Sequence, residues 1–128
     1  MAKILVIEDQ KMLCLLYGSA LTHTKHQVAL AYTGEEGIQE ALRERPDLVI
    51  MDLKLPGLSG PEVAHQLSDR GIFPSAPLII ATSLGEEAGP IAESLNAVAL
   101  MHKPFHLGTM LAEVEKALES DTQPLPAA

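Results

Sequence analysis

Five short apolar runs constrain this chain more than anything else in it: Lys3-Ile-Leu-Val-Ile7, Gln27-Val-Ala-Leu-Ala-Tyr32, Leu48-Val-Ile-Met51, Ala76-Pro-Leu-Ile-Ile-Ala-Thr82 and Ala97-Val-Ala-Leu-Met101. The runs are continuous rather than alternating, which is the pattern of strands buried on both faces. Stretches of helical period lie between them. From Lys11 to about Leu21, Met12, Leu15, Leu16 and Ala20 recur at helical spacing. Thr33 can cap a helix carrying Gly37, Ile38, Ala41 and Leu42, ended by Pro46. Ser59 can cap another, with Pro61 at its first position and Glu62 in its first turn, running through Val63, Ala64 and Leu67 to about Arg70. Gly85, Gly89 and Pro90 oppose a helix after the fourth run, so a short one is expected only from about Pro90 to Leu95, with Asn96 as the left-handed residue that ends it. Phe105 opens the last helix, whose expected apolar face is Leu107, Met110, Leu111, Val114 and Leu118.

Strands that alternate with helices predict an α/β domain, a parallel sheet covered on both faces. The 128 residues and 47% hydrophobic content suffice for one compact core. Residues 1–119 read as that domain. Residues 120–128, with prolines and no apolar period, read as a disordered tail or the start of a linker. Cys14 has no partner for a disulfide, and in its apolar setting it reads as a small core residue. No stretch reads as a signal peptide or membrane span, which predicts a cytoplasmic protein with no membrane contact. The net charge of −8 argues against direct nucleic-acid binding, which draws its affinity from neutralised phosphates. The five histidines form no metal site; His23 and His26 fall at a helix end, and His102 is expected to point to the side of its strand opposite Lys103.

Polar groups end four of the five runs: Glu8-Asp9, Asp52, Thr82-Ser83 and Lys103. In an open α/β sheet the carboxyl ends of the strands line one edge, where ligands bind. Three carboxylates gathered there repel one another unless a cation joins them, and hard oxygen ligands in small number suit Mg²⁺. The set meets the needs of phosphoryl transfer. Asp52, single and central, is the candidate nucleophile; Glu8 and Asp9 are candidate metal ligands; Lys103 supplies positive charge and Thr82 a hydroxyl donor. Each of these residues also has an ordinary structural reading, as a cap or a solvated loop charge. Their joint placement at four strand ends outweighs those readings.

The same residues resemble the receiver domain of two-component response regulators, a flavodoxin-like, doubly wound, five-stranded parallel sheet. Ile4-Leu-Val-Ile-Glu-Asp9 resembles the acidic pair, Asp52-Leu-Lys-Leu-Pro-Gly-Leu-Ser-Gly60 the phosphoacceptor and its loop, Thr82-Ser83 the switch hydroxyl, and Lys103-Pro104-Phe105 the closing motif, within a span from about Lys3 to Leu118. The resemblance implies that Asp52 takes a phosphoryl group from a phosphohistidine on a histidine kinase or a histidine phosphotransfer protein. It also implies that Mg²⁺ is held by Asp9, Asp52 and the backbone carbonyl of Lys54, with Glu8 acting through water. Thr82 then moves inward and protein contacts change, toward a downstream target or within a homodimer. Such a domain is not an enzyme beyond its own phosphorylation and slow dephosphorylation.

Two features depart from that family's pattern. Leu100 stands where an aromatic residue is usual, three positions before the lysine, and the segment from Thr82 to Lys103 is short. Normal phosphorylation with an unusual readout is therefore expected, and Lys54 is a candidate for tuning the phosphoryl lifetime. Two further functions fit less well. A phosphatase with an aspartyl nucleophile needs an acid two residues after it, where this chain has Lys54. A pseudo-receiver that ignores phosphorylation would not need the full acid set. Met1 and the short tail favour a stand-alone receiver over one cut from a longer protein.

Overall fold

The computed structural model describes residues 2–119 and Leu125. The elements in chain order are β1 (Lys3–Ile7), α1 (Lys11–Thr22), β2 (Gln27–Ala31), α2 (Gly34–Arg43), β3 (Leu48–Met51), α3 (Gly60–Asp69), β4 (Leu78–Thr82), α4 (Ala88–Ser94), β5 (Ala99–His102) and α5 (Leu107–Ala117). All paired strands are parallel, and the sheet order is β2-β1-β3-β4-β5. The order reverses between β1 and β3, which puts the mouth of the crevice above those two strands.

The three central strands are buried on both sides, as their unbroken apolar runs require. Leu5, Ile7, Val49, Met51 and Ile80 face the core under α2 and α3, while Ile4, Val6, Leu48, Ile50 and Ile79 face the one under α1 and α5. Each fully buried side chain of this size contributes about 1.5–3 kcal/mol. The sheet therefore supplies a rigid base for the loops at its carboxyl edge.

Helix boundaries follow local chemistry. Thr33 Oγ1 accepts from the Glu36 amide at 3.1 Å, and Ser59 and Glu62 form a reciprocal capping box at the start of α3. That helix begins at Gly60, so Pro61 is its second residue rather than its first. Helix α4 starts earlier than the sequence predicts, at Ala88, because a proline in the first turn sacrifices no helical hydrogen bond. Asn96 takes the expected left-handed conformation, φ 59°.

Helix α1 corrects the sequence reading. Its span is as expected, but the face chosen from Met12, Leu15 and Leu16 is the wrong one: they are 81%, 51% and 48% exposed. The buried stripe is Cys14, Tyr17, Gly18 and Leu21. Both stripes have helical spacing, and the inward one contains a glycine and a cysteine that a hydrophobicity count undervalues. Gly18 sits inward because a Cβ there would come within 2.9 Å of Leu30 Cδ2.

His23 does cap the end of α1, its Nδ1 lying 2.7 Å from the Ser19 carbonyl. His26 does not. Its Nδ1 accepts from the Ala2 amide and its Nε2 meets Glu115, so it joins the base of β1 to α5. The expected disordered tail lies outside the described residues except for Leu125, whose amide donates to the Ala97 carbonyl at 2.8 Å.

Candidate functional site

The strand register brings the polar tips together. Ile7 pairs with Met51, so Glu8 and Asp52 leave neighbouring strands side by side. Thr82 pairs with His102, so Lys103 follows at the next position along the same edge, its amide donating to the Thr82 carbonyl at 2.8 Å.

Lys103 Nζ is the centre of the arrangement. It donates to Asp52 Oδ2 at 2.7 Å and to Glu8 Oε1 in a short ion pair. Both acids are nearly sealed, Glu8 2% and Asp52 5% exposed. The Lys54 amide donates to Asp52 Oδ1 at 3.2 Å, and the Gln10 amide to Glu8 Oε2 at 3.1 Å. Neither carboxylate is left unsatisfied. Asp9, exposed, turns a third carboxylate to the same place: Glu8, Asp9 and Asp52 each offer an oxygen, and these lie within 4.8 Å of one another.

One ammonium cannot balance this many acids. Burial pushes the Glu8 carboxyl above its usual range, more than the hydrogen bond and charge of Lys103 pull it down. Burial also works against the Lys103 ammonium, but its hydrogen bonds to Asp52 and Glu8 outweigh that and hold its pKa above the ordinary lysine value. The cluster is thus short of positive charge. Hard oxygen donors around such a deficit fit a divalent ion of the Mg²⁺ kind.

Thr82 is fully buried, and its Oγ1 accepts from the Leu84 amide at 3.3 Å. Lys54 is exposed at the rim, with its side chain toward solvent. Cys14 is buried beneath Glu8, and burial raises its thiol to about 11, in keeping with the core role expected for it. His102 turns away from Lys103, as the alternation along β5 dictates, and its Nδ1 lies 3.2 Å from the Leu84 carbonyl.

Sequence reasoning missed three supports. Tyr17 of α1 stacks on Phe105 with ring centroids 5.4 Å apart, bracing the loop that carries Lys103. Gly60 lets α3 begin directly against the Asp52 carbonyl, where a Cβ would come within 2.5 Å. The Leu84–His102 contact ties the loop after β4 to the end of β5. Only the glycine left a readable trace, as the residue after a predicted N-cap where the chain turns sharply.

An α/β domain with three acids, a hydroxyl and a lysine at adjacent strand tips belongs to a recognisable class, the receiver domains of signalling proteins. The chain is a member of the response regulator receiver domain family, which matches residues 4–115. Response regulator ArlR of Staphylococcus aureus is 31% identical over 124 residues, covering 96% of this chain and 55% of that protein. The chain thus spans about half the length of the curated relatives it matches. The signal receiver domain of a putative Luxo repressor protein from Vibrio parahaemolyticus is 28% identical, with a TM-score of 0.83 over 91% of this chain and 89% of that one. The chemotaxis protein CheY4 of Vibrio cholerae shares the fold at a TM-score of 0.85 and 23% identity, covering 91% of this chain and 98% of that one. Receiver domains of this family work in two-component signalling, bind Mg²⁺ through acidic residues and interact with histidine kinases and downstream effectors. Among the described residues, no helix is long and apolar enough to cross a membrane.

Proposed function

We propose that this domain accepts a phosphoryl group on Asp52 from a phosphohistidine and changes its protein contacts in response. The observation that carries the reading is the Lys103 ammonium bonded to Asp52 Oδ2 at 2.7 Å and to Glu8, beside the exposed carboxylate of Asp9. A carboxylate oxygen of Asp52 forms the new P–O bond as the P–N bond to the donor imidazole breaks, leaving an acyl phosphate and a free histidine. Lys103 gives up its bond to the carboxylate and pairs with a phosphoryl oxygen. Thr82, one strand away, gives up the Leu84 amide and donates its hydroxyl to another. Glu8, Asp9, Asp52 and the Lys54 carbonyl would hold Mg²⁺, which supplies neutralising charge for the group in flight.

The donor's docking surface is the exposed stripe Met12, Leu15 and Leu16, which begins three residues after the acid pair. An apolar stripe on one helix suits a helical partner carrying the phosphohistidine. The domain is not an enzyme toward other substrates: a leaving group would need an acid two residues after Asp52, and Lys54 is there. It acts in the cytoplasm and through protein targets, without touching nucleic acid itself.

Incubation with acetyl phosphate and Mg²⁺, followed by intact mass, tests this. A gain of one phosphoryl group that Asp52→Asn abolishes is expected. No gain in the wild type selects a pseudo-receiver, and continuous phosphate release selects a phosphatase.

A further inference from the structure

Leu84, in the loop after β4, carries a hydrogen bond on each of its peptide groups. Its amide donates to Thr82 Oγ1 at 3.3 Å, and its carbonyl accepts from His102 Nδ1 at 3.2 Å. A carbonyl oxygen can only accept, so Nδ1 carries the hydrogen, as it does in one neutral tautomer and in the charged ring alike. The contact therefore does not depend on the charge of His102.

His102 and Leu100 lie two residues apart on β5 and so face the same side of the sheet. Leu100 packs on the core under α4, and as an aliphatic residue it has no group to hydrogen-bond the loop. The ring that meets the loop stands one pleat further along, at His102, directly across from Thr82 in the strand register. Two hydrogen bonds link Thr82, Leu84 and His102 in a row: hydroxyl, amide, carbonyl, imidazole. Turning Thr82 away gives up the bond that its Oγ1 accepts from the Leu84 amide, and moving Leu84 gives up the one its carbonyl accepts from His102.

We infer that His102 is a positioning residue, a latch that holds the Thr82–Leu84 loop in the unphosphorylated arrangement and sets how readily Asp52 is phosphorylated. This rests on the reading of Asp52 as phosphoacceptor. Breaking the latch stabilises neither chemistry nor fold; it removes a contact made in one of two loop arrangements and shifts their balance. His102 is exposed, so its replacement leaves the core intact.

The test compares wild type with His102→Ala, His102→Phe, which keeps a ring and loses the donor, and His102→Asn, whose side-chain amide can donate from nearly the same place as Nδ1. Amide exchange at Leu84 and Gly85 is followed without phosphodonor, and the rate of mass gain is followed with acetyl phosphate and Mg²⁺. In the alanine and phenylalanine variants both rates are expected to rise about two- to tenfold, the factor that loss of one ordinary hydrogen bond carries, while the asparagine variant stays near wild type. Unchanged rates in the alanine and phenylalanine variants overturn the latch. So does faster exchange with no change in phosphorylation, or an asparagine variant that behaves like the alanine one. A wild type that takes up no phosphoryl group removes the phosphoacceptor reading itself, and is told apart from the other failures by the wild-type sample alone.

Discussion

Lys103 Nζ lies 2.7 Å from Asp52 Oδ2 across 51 residues of sequence, joined by two adjacent crossovers of one parallel sheet. The same ammonium pairs with Glu8, so a single cation bridges two buried acids that belong to neighbouring strands. The bridge holds the two acids together and uses one oxygen of the Asp52 carboxylate, Oδ2. Under the proposed function, the negatively charged oxygens of a phosphoryl group on Asp52 would offer Lys103 a new partner and so couple loading of the site to rearrangement around it.

Lys103→Met removes the charge and keeps the length of the side chain. Glu8 and Asp52 then face each other without compensation, and stripping one partner from a buried ion pair costs about 3 kcal/mol. The variant is expected to melt well below wild type at neutral pH and to regain stability on acidification, as Glu8 takes up a proton. Mg²⁺ should raise its melting temperature more than it raises that of wild type. Equal Mg²⁺ shifts in the two proteins would show that Lys103 and the ion do not compete for the same charge.

Glu8→Gln tests the opposite side of the balance. The folded protein holds the Glu8 carboxyl above its ordinary value of 4.5, chiefly through burial. A raised folded pKa means that Glu8 contributes stability in full below about 4.5 and loses it as pH rises through the folded value. At neutral pH the charged form is a burden, so Glu8→Gln should raise the melting temperature by a few degrees at pH 7 and change it little at pH 4. Lys103, also raised, keeps its contribution until the pH passes above 10.5 and does not interfere in this window. The same substitution should weaken Mg²⁺ binding, measured by titration calorimetry. A less stable variant at pH 7 would mean that the Lys103 bond outweighs burial.

The sheet and its site were legible because both rest on strand tips. A buried parallel strand announces itself as an unbroken apolar run, and the residue that ends it must lie on the ligand-binding edge, so Glu8, Asp9, Asp52, Thr82 and Lys103 could be placed together before any coordinate. What could not be read was which partner each would choose. Nothing in Glu8 or Lys103 alone says that they pair with each other. The inward face of α1 was misread because Met12, Leu15 and Leu16 outweigh Cys14 and Gly18 in hydrophobicity, while the packing of Gly18 on Leu30 decides the rotation of the helix. The latch by His102 was half visible: alternation along β5 gives its direction, and only the fold of the loop after Thr82 supplies its partner.

Lys54 stands at the rim, its amide bonded to Asp52 Oδ1 and its side chain exposed. A flexible cation there can lean over an acyl phosphate and obstruct the line along which water attacks. Lys54→Asn keeps the amide and removes the charge and the reach. The phosphoryl half-life, followed by intact mass after removal of the donor, is expected to change several-fold, with little effect on the melting temperature. An unchanged half-life takes the Lys54 side chain out of the chemistry.

Gly60 separates the packing of the loop from its chemistry. A Cβ at this position would lie 2.5 Å from the Asp52 carbonyl oxygen and 2.7 Å from Leu53 Cα, and both are backbone atoms that cannot swing aside. The Gly60 amide also donates to the Leu53 carbonyl at 2.9 Å, which fixes the turn from the phosphoacceptor into α3. Gly60→Ala must therefore push the start of α3 away from the sheet or displace Asp52, at a cost of about 1–3 kcal/mol by the usual scale of overpacking. Displacement of Asp52 stretches its bond to Lys103, so the expected result is a lower melting temperature together with slower phosphorylation by acetyl phosphate. Gly71→Ala provides the comparison: that glycine, unlike Gly60, has a positive φ, 78°, and its nearest neighbour is the Arg45 guanidinium at 4.0 Å. It should lose stability from backbone strain alone and keep the wild-type rate. If both variants phosphorylate at the wild-type rate, the close approach of Gly60 serves the fold and not the position of Asp52.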